Sequence, residues 1–148
     1  MTNLTLPVLV GGGAAAVLDG VAATIDFRFR GVSFVRLWQG VASGAIGTKS
    51  FQLGSRSVLL GLFFHILIAT SAALVFNVAA AFVPFLIIHY VAVGALYGVV
   101  VFLVMNLVVI PLSAMPPRPF SLAITIRQII VHIFCVGLPI SVVAFSNK

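Results

Sequence analysis

Four long apolar stretches, separated by short segments rich in Gly, Pro, Ser or basic residues, run through this chain. From Ser57 to Pro117 there is no formally charged residue. A bilayer crossing needs about 20 residues, so this run holds two crossings and a turn, and a third would leave nothing for turns. The natural break is Asn77 to Pro84, where an Asn, a string of Ala and a Pro interrupt the pattern, predicting spans over 57–76 and 84–113. Upstream, 7–25 supplies a first span with Pro7 in its opening turn, where the missing N–H costs little. Downstream, Met115-Pro116-Pro117-Arg118-Pro119 cannot be helix interior, and 122–145 makes a fourth span.

Between the first two spans the pattern changes to an amphipathic one. Over 33–47, Arg36, Gln39, Gly40, Ser43 and Gly47 recur at helical spacing, with Phe34, Leu37, Trp38, Val41 and Ala45 opposite them. This predicts a helix at the headgroup boundary, with Arg36 and Trp38 as interfacial anchors. The expected fold is therefore all-α: an integral membrane four-helix bundle, one transmembrane domain over 1–148, with an interfacial helix between spans one and two.

Composition strengthens this reading. Of 148 residues, 62% are hydrophobic and 7% charged, against about 25% charged in soluble domains. A soluble domain and a disordered chain are both excluded, the latter because disorder needs low hydrophobicity and high charge. The single Cys135 excludes an internal disulfide framework and a multi-cysteine metal site. A net charge of +6 could mark a nucleic-acid surface, but the basic residues cluster between apolar runs and read as topology; no nucleic-acid partner is expected, and the lipid bilayer is. Arg28, Arg30, Arg36, Lys49 and Arg56 lie between spans one and two, and Arg118 between three and four. The turn from Asn77 to Pro84 has no basic residue, and Lys148 is the only one in a tail. By the positive-inside rule both basic loops are cytoplasmic and both termini face out. A cleavage site at Ala14-Ala15-Ala16 is disfavoured, since no basic n-region precedes it.

Any chemistry must come from the few polar residues inside the spans. On span one, Gly12, Ala15, Ala16, Ala22 and Ala23 share a face with Asp19, while Val10, Val17, Leu18, Val21 and Ile25 cover the other. A carboxylate facing lipid costs about 2.5–3.5 kcal/mol on the insertion scale, so Asp19 should point into the bundle. Span two repeats the device with Gly61, His65, Ala69 and Ala72. On span three, Gly94 and Gly98 mark a packing face near Asn106; on span four, Arg127 and Gln128 adjoin and His132 follows one turn on. Counted from the cytoplasmic span ends, with Asp26 at the inner end of span one, Asp19, His65, Asn106 and Gln128 each lie roughly 10–12 Å deep at about 1.5 Å per residue. They are therefore expected to form one polar cluster with at least one of Arg127, Gln128 and His132. Asp19 has three candidate partners: Arg127 as a salt bridge, His65 as a hydrogen-bonded pair, or Asn106 and Gln128 as neutral donors. The layer can glue helices together, relay a proton or ion, or line a solute pocket. No Ser-His-acid or Cys-His pairing, HExxH or GxGxxG occurs, so no enzyme, cofactor or metal site is expected.

The residues Gln39-x-Val41-Ala42-Ser43-Gly44-x-x-Gly47, Leu60-Gly61-x-x-x-His65-x-x-Ile68-Ala69, Leu96-Tyr97-Gly98 and Met105-Asn106-x-Val108-Val109-x-Pro111-Leu112-Ser113 resemble a widespread family of small, uncharacterised four-span bacterial inner-membrane proteins. The resemblance implies the same topology and singles out His65 and Asn106; it implies no activity. The architecture alone is similar to small multidrug-resistance transporters, which are short four-span dimers with an acidic residue in the first helix. This chain departs from them in its long basic first loop, in Asp19 where they carry Glu, and in lacking their surrounding motif. The favoured expectation is movement or sensing of a proton, ion or small solute. The alternative is a non-catalytic assembly or accessory subunit, with a second copy or another membrane protein as partner.

Overall fold

The computed structural model describes residues 4–117 and 119–147, so Arg118 and Lys148, which enter the charge balance, lie outside it. The described residues are helical, without strands. Among the described residues, four helices are long and apolar enough to cross a membrane. These are α1 (Thr5–Phe29), α3 (Ser55–Phe82), α4 (Tyr90–Leu112) and α5 (Leu122–Ser146). The amphipathic segment forms α2 (Phe34–Ile46), started by Ser33, whose Oγ accepts the Arg36 backbone N–H at 3.2 Å. Gly47, at φ 64°, ends α2 in a backbone conformation that side-chain-bearing residues rarely adopt. A six-residue 3-10 segment, Gly47–Gln52, then leads to α3.

Several boundaries differ from the pattern's expectation. α1 runs four residues past Ile25, and α3 runs through Asn77 to Phe82. Asn77 does not break the helix, because its Nδ2 donates to the Ala73 carbonyl one turn back at 2.9 Å, leaving the amide satisfied while buried. The break falls at Pro84, whose ring pushes Val83 into an extended conformation (φ −124°, ψ 87°). The expected third span then divides into a single helical turn, Phe85–Ile88, and α4 proper.

Prolines also shape the two later spans. α4 contains a π-helical stretch at Met105–Val109 and α5 another at His132–Gly137, each closing two residues before a proline, Pro111 and Pro139. Proline cannot donate to the carbonyl four residues back and its ring crowds it. Those carbonyls belong to Leu107 and Cys135, inside the two π stretches, where the wider turn relieves the conflict.

α1 occupies the centre, packed along α3 on one side and α5 on the other, while α4 packs chiefly on α5. The seams are built from small residues. Ala15, Ala16, Ala69, Ala73, Ala80 and Ala144 join Phe76, Val136 and Ile140 in a dry core. A Cβ at Gly98 would collide with the backbone of His132 and Ile133, and one at Gly94 with Ser141, so α4 and α5 meet almost backbone to backbone at Gly137. Gly61 does the same for α2, leaving room for the Trp38 carbonyl. Tyr97 ties α4 to α3 by donating its hydroxyl proton to the Ala72 carbonyl at 2.7 Å.

Candidate functional site

The polar residues form two separate sites along one stripe of α1. Asp19 and Asp26 are seven residues apart, two helical turns, and so lie on the same face about 10 Å from each other.

At the first site, His65 on α3 meets Asp19, with imidazole Nδ1 3.9 Å from carboxylate Oδ2. The other ring nitrogen, Nε2, lies 2.9 Å from the Ala16 carbonyl oxygen. A carbonyl can only accept, so Nε2 carries the proton and Nδ1 is left facing the acid. Gly20 makes this approach feasible, since a Cβ there would stand 3.3 Å from His65 Nε2 and press on the Trp38 ring. Both side chains are mostly buried, at 16% and 18% exposure. A negative Asp19 opposite an unprotonated Nδ1 would set two acceptors against each other.

Trp38 packs its ring edgewise on His65 at 5.1 Å between centroids. Expected at the headgroup boundary, it is instead buried at 3% exposure, and its Nε1 has no acceptor. The reason is the close approach of α2 to α3 over Gly61, which turns the Trp38 ring inward toward Gly20. Gln39 and Ser43, placed on the polar side of α2 by the pattern, are buried with it. Gln39 Nε2 donates to the Gly54 carbonyl at 3.4 Å, and Ser43 Oγ to the Gly40 carbonyl at 2.6 Å. Arg36 stays exposed and lays its guanidinium over the Phe51 ring at 4.1 Å.

The second site is centred on Asp26, which sequence reasoning treated as a span end. Because α1 continues to Phe29, Asp26 sits inside the last turns and its side chain is 6% exposed. Arg127 Nη1 donates to Asp26 Oδ1 at 2.6 Å. Arg30 Nε lies 3.3 Å from Oδ2, a contact of opposite charges without hydrogen-bond alignment, which leaves Oδ2 formally unbonded. Two cations thus hold one carboxylate, and Arg127 is spent on Asp26 instead of Asp19. The available signal was the i,i+4 spacing of Asp26 and Arg30 inside a helix that did not stop at Ile25.

The expected single cluster is therefore not assembled. Asn106 is exposed on α4 and donates to the Phe102 carbonyl on its own helix at 2.9 Å. His132 Nδ1 lies 2.8 Å from the Gln128 carbonyl, again within one helix, and its ring packs edgewise on Phe102. It faces Phe102 of α4. Gln128 is half-buried and enters these contacts through its backbone. Similar depth did not give similar facing: the Asn106 and His132 side chains each found a carbonyl one turn away, which satisfies a polar group in a helix without any neighbour. Of the packing positions, Ala15 and Ala16 are buried against the core and Gly12 abuts Thr70; Gly61, Ala69, Gly94 and Gly98 lie at the seams already described.

Beside the first site a lateral groove of about 410 Å³ opens between α1, α2 and α3, with His65 and Trp38 in its lining. On the N-terminal side of Asp19 along α1, Ala15 and Ala16 belong to the Ala-rich core. Among the described residues the fold is thus helical, with four helices long and apolar enough to span a membrane and two charge sites on the central helix. No family model, no curated protein and no solved structure matches this chain.

Proposed function

We propose that this protein moves or senses a proton, ion or small solute in a bacterial inner membrane, with the Asp19–His65 pair as the group that takes up the charge. The observation that carries this reading is the commitment of His65 Nε2 to the Ala16 carbonyl while Nδ1 faces Asp19. A pair so held leaves one ring nitrogen and one carboxylate facing each other, where a proton can be taken up. In this reading both termini are outside, the basic segment from Arg28 to Arg56 is cytoplasmic, and α2 lies near the headgroups with Arg36 in the interface. Asp26, Arg30 and Arg127 then stand on the cytoplasmic side of the pair, and the Ala-rich core is the barrier on the outer side. The role is non-catalytic.

Reconstitution into liposomes loaded with a pH-sensitive dye tests it. Wild type is expected to dissipate a proton gradient, and Asp19→Asn, which keeps hydrogen-bonding capacity without the charge, to lose that flux while remaining folded. Flux unchanged in Asp19→Asn overturns the assignment. The second reading, an assembly or accessory subunit, draws on Asn106, an amide exposed on α4 with only its own helix as partner. It is favoured if wild type gives no flux under proton and cation gradients.

A further inference from the structure

The lateral groove is built like a seat for a lipid chain. Its α1 wall is the stripe Val17, Val21 and Ile25, which are 65%, 54% and 52% exposed, and its α3 wall includes Ile66 at 52%. Its floor reaches Trp38 and His65 because Gly20 contributes no side chain. At about 410 Å³ it falls in the range of roughly 300–1,000 Å³ typical of small-ligand sites.

Charge marks one end of the groove. Thr24 lines it, and Arg28 follows one turn further along the same stripe of α1, exposed. The side chains of the chain include only two carboxylates, Asp19 and Asp26. The first faces His65, and the second is held by Arg127 and Arg30. Arg28 therefore has no carboxylate among the described residues to neutralise it, and Arg36, stacked on Phe51, has none either. An apolar trough ending at an uncompensated cation has the polarity of an anionic amphiphile. We infer that the groove binds an acyl chain of an anionic phospholipid from the leaflet on the Arg28 side, with the phosphate against Arg28. This inference does not depend on the proton reading or on which face of the membrane is cytoplasmic.

The chain contains one tryptophan, Trp38, and it is 3% exposed. Trp38 lines the groove, so a chain lying in it comes closest to the indole. The full-length protein is reconstituted in phosphatidylcholine vesicles with a minority of lipid carrying brominated acyl chains, either phosphatidylglycerol or phosphatidylcholine. Quenching of Trp38 fluorescence is followed against the brominated fraction. Brominated phosphatidylglycerol is expected to quench at about fivefold lower fraction than brominated phosphatidylcholine, the factor one surface-facing Arg supplies. Arg28→Gln is expected to abolish that difference. Val21→Phe and Val17→Phe, each filling the trough from an exposed position, are expected to reduce quenching by both lipids with helix content unchanged by circular dichroism. Equal quenching by the two lipids in wild type overturns the inference, as does a preference that survives Arg28→Gln. Quenching unaltered in both folded Phe variants also overturns it. Absence of quenching by either lipid in wild type means that a second copy or another helix fills the groove, and overturns it too.

Discussion

Three consecutive glycines in α1, Gly11, Gly12 and Gly13, face three different surroundings, and alanine at each should separate packing from helix propensity. A Cβ on Gly12 would sit 2.7 Å from Thr70 Cα and 3.1 Å from its Oγ1. The nearest atom is backbone and cannot rotate away, so α1 and α3 must move apart. Overpacking of this kind costs about 1–3 kcal/mol. A Cβ on Gly13 meets nothing within 4 Å, so Gly13→Ala keeps only the propensity gain, at most about 0.5–1 kcal/mol. At Gly11 the new methyl would lie 3.6 Å from Ile140 Cα and Val143 Cβ, ordinary contact, and the substitution should be neutral or mildly stabilising. The propensity gain is common to both, so the gap between Gly12→Ala and Gly13→Ala is the overpacking cost alone, about 1–3 kcal/mol. Unfolding in mixed micelles with rising denaturing detergent, followed by Trp38 fluorescence, measures it. If the two variants unfold within about 0.5 kcal/mol of each other, the close seam between α1 and α3 is wrong.

Further outcomes follow from the same structure. Ala15→Leu, at a position with 0% exposure, should destabilise by about 1–3 kcal/mol or more, whereas Val17→Leu at 65% exposure should change stability by less than about 0.5 kcal/mol; equal tolerance in the same assay would refute the facing of α1. Asp26→Asn and Arg127→Gln should show a coupling energy above about 0.5 kcal/mol in a double-mutant cycle, reduced by solvent because Arg127 is 46% exposed; additive effects would mean the bridge contributes nothing. A reporter active only in the cytoplasm, fused to the C-terminus, should give no signal if both termini are outside, and strong activity there would reverse the orientation.

The existence of four long apolar helices and an amphipathic one was legible in the sequence, because length, apolar content and helical periodicity are properties of each segment alone. The size-sorted face of α1 was legible for the same reason: a stripe of Gly and Ala beside Asp19 predicts a close neighbour, and Ala15 and Ala16 are indeed buried. Pro84 announced a break, but its position could not be separated from Asn77, whose amide is satisfied by the Ala73 carbonyl and lets α3 continue. What only the tertiary structure decided was partnership. Asp26 looked like a span end until α1 extended to Phe29 and Arg127 reached it from α5. Trp38 has the chemistry of an interfacial anchor, yet the missing side chains at Gly61 and Gly20 draw it under the bundle. Asn106 and His132 were expected beside Asp19, yet each bonds a carbonyl of its own helix. Depth along a helix follows from counting residues, but rotation about its axis depends on which neighbour the small residues admit, and that depends on all the helices at once.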